Sequence, residues 1–241
     1  MFVMICWSCE KEAGGDPLCA SCGAPQPVDA ATDHFAVLGV ERRHDLDLAA
    51  VEARYKDLSR KLHPDRFAKA DPRARRASLQ RTVQLNEAWR ALKEPLKRAE
   101  YLLELGGVKL ATDDGGARSG GVAAPPALLM EILELREELG EARHARDDAK
   151  VARMGDAMRA RAAQAMERVE AGLVGTPIFD PAAASARERL MDVARELVAL
   201  RYYRRFLDEV DAHDEARERR AAQRDERDER DERDDEGPPH G

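Results

Sequence analysis

Beyond Cys22 this 241-residue chain has no cysteine, so every thiol lies in the first 22 residues. It has no excess of positive charge either. Its net charge is −7 with 36% charged residues, which argues against a general nucleic-acid binder. No stretch approaches the roughly 18 consecutive apolar residues of a membrane span. The opening Met1-Phe2-Val3-Met4-Ile5-Cys6 lacks the basic and apolar regions of a secretory signal. There is no phosphate-binding glycine loop and no nucleophile–base–orienter set, so an enzyme is the least favoured class. Arginine outnumbers lysine and alanine is abundant, a composition typical of GC-rich bacterial genomes. The expected compartment is the cytoplasm, where thiols stay reduced.

The cysteines form two CxxC pairs, Cys6-Trp7-Ser8-Cys9 and Cys19-Ala20-Ser21-Cys22. Each pair can present two thiolates through a tight turn, and two pairs complete a tetrahedral Cys₄ shell. Gly23 suits the backbone of such a knuckle. Four protein ligands leave no open position, so the expected role is structural. A segment this short has no core of its own, and metal would supply much of its folding free energy. Structural Zn²⁺ leads this reading, with an iron site of similar geometry as the alternative. Redox-active disulfides are disfavoured because no thioredoxin-like strand–helix pattern surrounds either pair.

After Pro25 and Pro27, the chain reads as helix. Val51, Tyr55, Leu58 and Leu62 recur at three- or four-residue spacing, as one apolar helical face requires. Pro64 ends that helix at about His63, because a residue preceding proline is pushed out of helical geometry. Asp71-Pro72 opens the next helix as N-cap and first position. That helix carries Leu79, Val83, Asn86, Trp89 and Leu92 and stops before Pro95. Phe35 and Leu38 read as core beneath the pair. Asn86 and Trp89 are explained by helix packing. A closing helix through Leu96, Ala99, Leu102 and Leu103 ends at Gly106-Gly107.

His63-Pro64-Asp65 between two antiparallel helices resembles the J domain, over about residues 34–105. That resemblance implies an Hsp70-recruiting module that stimulates ATP hydrolysis and performs no chemistry itself. The family's essential tripeptide falls on His63, Pro64 and Asp65, and its basic partner-facing helix on Lys56, Arg60 and Lys61. A cationic helix would steer toward an acidic patch on the ATPase and raise the on-rate.

Residues 106–126 read as a linker, with Asp113-Asp114-Gly115-Gly116, Gly120-Gly121 and Pro125-Pro126 discouraging regular structure. Helical patterns follow at about 127–147, 149–173 and 181–213, with Thr176-Pro177 and Asp180-Pro181 before the last. Short connections favour an antiparallel three-helix bundle. In the first of these helices Leu128, Ile132, Leu135 and Leu139 share one narrow face. Leu129, Met130 and Leu133 point to a neighbouring face, beside Glu134, Glu137 and Glu141. Periodicity leaves two readings open, a wide core stripe or an exposed apolar strip rimmed by carboxylates. Met154, Met158 and Met166 in the middle helix fill a core adaptably.

The run from Leu129 to Leu139 resembles the HscB-type co-chaperones of iron–sulfur cluster assembly. So does the order of J domain, linker and bundle, together with Arg205-Phe206-Leu207-Asp208-Glu209-Val210. Some members of that family carry an N-terminal double CxxC module. The resemblance implies an IscU-type scaffold bound through Leu129, Met130, Leu133, Glu134, Glu137, Glu141 and Phe206, with burial as the alternative for Phe206. It also implies delivery of that scaffold to a dedicated HscA-type Hsp70.

The expected architecture is all-α. It has a Cys₄ module over 1–28, with Cys6, Cys9, Cys19 and Cys22 as ligands. A J domain spans 33–105, a linker 106–126, a scaffold-binding bundle 127–213 and a charged tail 214–241. The tail repeats Arg-Asp-Glu and has no apolar face to bury, so it either extends the last helix or stays disordered. Two rival classes remain, a J-domain adaptor for another client and a metal- or cluster-binding redox protein.

Overall fold

Asp33 begins the first helix. Its carboxylate accepts a hydrogen bond from the Ala36 amide at 2.9 Å, and Gly39 closes the helix at φ 64° in the left-handed conformation. The left-handed φ favours glycine here, and a Cβ would also displace the mobile end of the Arg54 side chain. In this computed structural model the described residues are 4–29, 31–111, 120–174 and 184–235. The elements are α1 (His34–Leu38), α2 (Leu48–Leu62), a 3-10 turn (Pro64–Phe67), α3 (Pro72–Leu92) and α4 (Pro95–Leu105). They continue as α5 (Pro126–His144), α6 (Asp148–Leu173) and α7 (Ala184–Asp235). The fold is all-α: J-domain-like helices, a three-helix bundle and an N-terminal cysteine cluster. Asp113-Asp114-Gly115-Gly116, Thr176-Pro177 and Asp180-Pro181 lie outside the described residues.

The chain divides into two compact units, the first formed by 1–108 with 170–190 and the second by 109–169 with 191–241. In the first, α2 stops at Leu62 because His63, at ψ 129°, precedes proline. Asp71 caps α3 through the Arg73 amide, with Pro72 at the first position, as the sequence predicts. Phe35, Leu38, Leu62, Leu85, Leu92, Leu102 and Leu103 form the core. Tyr55 stacks on Trp89 at 5.2 Å, and its hydroxyl donates to Asn86 Oδ1 at 2.9 Å. Packing therefore accounts for both Asn86 and Trp89.

One detail of α3 departs from the sequence pattern. Leu79 and Val83 are exposed, and the buried face is made of Ala74, Ala77, Ser78, Leu85, Ala88 and Leu92. Small residues let α3 approach its neighbours closely, and Ser78 turns its polarity to use. Its hydroxyl donates to the Leu62 carbonyl at 2.6 Å, joined by Thr82 at 3.2 Å. These bonds satisfy a helix-end carbonyl that α2 leaves without an intrahelical partner.

In the second unit Ile132, Leu139, Ala142, Val151, Met158, Phe206 and Val210 form the bundle core, with Leu128, Leu135 and Met154 packed against it. Ion pairs lace the helices together: Arg136–Glu209, Lys150–Glu138, Arg159–Asp211 and Arg161–Glu131. The flanks of the glycine-rich connection are locally paired. Leu110 forms a parallel bridge with Val122, and the Ala111 carbonyl accepts from Arg201 at 3.1 Å. A Cβ on Gly121 would sit 2.5 Å from the Leu110–Ala111 backbone, so this approach needs glycine. The Arg-Asp-Glu repeat continues α7 to Asp235, which decides between the two conformations left open for the tail. No helix among the described residues is long and apolar enough to cross a membrane.

Candidate functional site: a metal knuckle, an HPD turn and an exposed helical strip

The two CxxC pairs fold into matching turns. The Cys6 amide donates to the Lys11 carbonyl at 2.8 Å, and the Cys19 amide to the Ala24 carbonyl at 2.9 Å. The fourth residue after each first cysteine is left-handed, Glu10 at φ 60° and Gly23 at φ 72°. These turns bring the four sulfurs within 4.8 Å of one another. Cys6 and Cys22 Sγ lie 3.7 Å apart, and Cys9 and Cys19 Sγ 3.8 Å apart. A tetrahedral ion with metal–sulfur bonds of about 2.3 Å needs sulfurs about 3.8 Å apart, so the cluster fits Zn²⁺.

The knuckle's own core is small, little more than Cys6, Ala13 and Cys19. Its surroundings supply the rest. Gln26 is fully buried and donates from Nε2 to Cys6 Sγ at 3.3 Å. Burial raises the Cys6 pKa, but hydrogen bonds from the Ser8 and Cys9 backbone and from Gln26 outweigh it and hold the thiol at about 6. Cys9 is pushed up to about 11: a bond from the Lys11 backbone lowers it, and burial with its neighbouring thiols prevails. Crowded thiols cannot all ionise unaided, and a cation removes that conflict.

The knuckle is seated on α3. Arg81 donates from Nε to the Gln26 carbonyl at 3.0 Å and from Nη2 to the Pro27 carbonyl at 2.7 Å. Trp7 donates to the Pro25 carbonyl at 2.8 Å, and the Arg73 guanidinium lies 4.8 Å from its ring centroid. Sequence reasoning missed Gln26, Arg73, Arg81 and the role of Trp7. Their partners are distant in the chain, and only the glutamine between two prolines offered a local hint.

At the tip of the α2–α3 hairpin, His63 Nδ1 accepts from the Asp65 amide at 3.3 Å and so caps the 3-10 turn. The Asp65 side chain keeps 89% of its surface exposed. Lys56, Arg60 and Lys61 are exposed on α2, where Lys56 pairs with Glu52 and Lys61 with Asp57. Exposed pairs one helical turn apart contribute only about 0.5 kcal/mol, so an incoming acidic surface can displace them.

On α5 the exposed-strip reading fits. Leu129, Met130 and Leu133 are 41%, 57% and 52% exposed, and Glu134, Glu137 and Glu141 are exposed with them. Phe206 is apart from this strip, 1% exposed in the bundle core.

Two family descriptions match. Residues 33–101 match the DnaJ domain, and residues 124–211 match the HSCB C-terminal oligomerisation domain. The iron–sulfur cluster co-chaperone protein HscB homolog of Arabidopsis thaliana is 36% identical over 137 residues. That match covers 57% of this chain and 51% of the relative, so the chain spans about half the length of this curated relative. Chaperone HscB from Vibrio cholerae superposes with a TM-score of 0.60 at 26% identity, covering 77% of this chain and 99% of that one. Human co-chaperone protein HscB shares the fold with a TM-score of 0.68 at 23% identity, covering 87% and 98%. Over these two matched segments the chain is similar to the HscB-type J-domain co-chaperones, and its four clustered cysteines form a Cys₄ module able to hold a metal ion.

Proposed function

We propose that this protein binds an IscU-type iron–sulfur scaffold through α5, presents it to an HscA-type Hsp70 and stimulates that partner's ATP hydrolysis through His63-Pro64-Asp65. The supporting observation is a pair of surfaces whose side chains are free to meet partners. Asp65 projects from a turn that His63 itself holds closed. Leu129, Met130 and Leu133 form an apolar strip that the bundle core does not use, rimmed by Glu134, Glu137 and Glu141. Exposed apolar residues flanked by charge have the composition of an interface centre with a polar rim. Phe206 enters this scheme as a core residue that keeps the bundle packed beneath the strip.

The bound metal has a structural task here. Four thiolates close the shell, and cluster chemistry is left to the scaffold. The test is single-turnover ATPase of the Hsp70 with this protein, with and without scaffold. The reading requires synergy between the two that His63→Gln abolishes. Stimulation indifferent to scaffold would favour an adaptor for another client.

A further inference from the structure

At one end of the bundle α5 gives way to α6, and α7 passes alongside. Arg143 and His144 from α5, Arg146 from the connection, and His213 and Arg220 from α7 line a concavity of about 600 Å³. The other two lining residues are Gly140 and Ala216, so the lining has no acidic side chain. Elsewhere on the bundle Arg136, Arg159, Arg161 and Arg168 each meet a carboxylate. Among the described residues, Arg143, Arg146 and Arg220 have no carboxylate within 4.0 Å. The nearest acids along the chain are engaged. Asp147 accepts from the Lys150 amide at 2.9 Å, and Asp148 faces His213 Nε2 at 3.0 Å.

The C-terminal dipole of α5 explains basic residues in its last turn, Arg143 and His144. It does not explain Arg220, which lies within α7, well before that helix ends at Asp235. Nor does it explain Arg146, held at φ 56° in the left-handed position after a helix end, where glycine or asparagine is favoured. An arginine kept against its backbone preference, with its side chain lining a pocket, points to a use for that side chain.

We propose that this concavity binds a compact multivalent oxyanion of the phosphate class. Guanidinium groups match phosphate oxygens through paired N–H donors, and this concavity offers three of them from three segments of the bundle. The lining offers no phenyl or indole ring and no aliphatic side chain larger than alanine, so it suits an inorganic polyphosphate or a small phosphorylated compound. It does not suit a nucleoside or an acidic peptide with apolar anchors. This site stands independently of the co-chaperone reading.

The experiment is titration of the full, metal-loaded chain with inorganic pyrophosphate, following the backbone amide shifts of Gly140 and Ala216 by NMR. The proposal requires a saturable shift at these two amides. It also requires at least tenfold weaker binding in Arg143→Gln/Arg220→Gln, with Arg136→Gln, a paired arginine elsewhere on the bundle, unchanged. Thermal melts and the dispersion of the remaining amides report that each variant is folded. No shift at either amide, or equal affinity in the double variant, overturns it. Parallel titrations with orthophosphate and tripolyphosphate report valence: affinity must rise with charge, and a flat series also overturns it. ATP binding more tightly than tripolyphosphate would show that a nucleoside is recognised, which contradicts the compact-anion assignment.

Discussion

Gln26 spans the gap between metal ligand and J domain: its side-chain amide donates to Cys6 Sγ at 3.3 Å while Arg81 donates to its backbone carbonyl at 3.0 Å. Hydrogen bonds to a ligating atom orient it and tune its basicity, and losing one costs about 10–100-fold in metal affinity. Gln26→Leu keeps the side chain's approximate volume and removes the donor. It should weaken zinc binding within that range in chelator competition. Unchanged affinity would show that the Cys6 turn holds itself.

Removing the metal should release Trp7. Its indole donates to the Pro25 carbonyl and lies beneath Arg73, both consequences of the closed knuckle. A strong chelator should therefore red-shift tryptophan emission, with Trp89 as a constant background stacked on Tyr55. In Trp7→Phe the red shift should vanish.

The hairpin tip allows a separation of stability from activity. His63→Gln alters an exposed side chain and should change folding stability by about 0.5 kcal/mol or less, while stimulation of Hsp70 is lost. Ser78→Ala does the reverse at first. It strips the buried Leu62 carbonyl of its 2.6 Å donor, at a cost of about 1–3 kcal/mol with Thr82 left to compensate in part. Denaturant melts beside ATPase assays distinguish the two, and equal stability losses would contradict the assignment.

How legible this was in the sequence depended on how local each signal is. The HPD turn, the Asp71-Pro72 start of α3 and the paired CxxC turns are written within a few residues, and they stand where spacing puts them. Links between Gln26 and Cys6, Arg81 and Gln26, and Ser78 and Leu62 join positions 20, 55 and 16 residues apart, which periodicity does not address. Periodicity also favours large apolar residues. It marked Leu79 and Val83 on α3, whereas the buried face there is largely alanine and serine.

For α5, Leu129→Ala, Met130→Ala and Leu133→Ala each trim an exposed side chain and should leave stability within about 0.5 kcal/mol. Phe206→Ala opens the bundle core and should cost about 3–5 kcal/mol. If scaffold binding falls in the strip variants at unchanged melting temperature, the strip is a contact surface. Loss confined to Phe206→Ala would attribute binding to bundle integrity instead.

Acid should weaken the first unit through His44. Burial lowers its pKa below the ordinary 6.5; the Pro95 carbonyl it meets at 3.0 Å, Glu170 and Asp45 oppose the shift, and Arg98 adds to it. The folded state thus binds fewer protons at this ring than the unfolded state. Stability is full above pH 6.5 and declines as pH falls through the folded value. His44→Asn should flatten that decline in melts between pH 7 and pH 5, a range set about the ordinary histidine pKa.

Helix α3 touches the knuckle through Arg73 and Arg81 and the end of α2 through Ser78 and Thr82, within a single run of helical hydrogen bonds. Amide protons along such a run exchange through cooperative openings rather than one at a time. Protection of α3 against deuterium should therefore respond to both sites together, and metal binding at Cys6 should slow exchange beside His63, on a loop it never contacts.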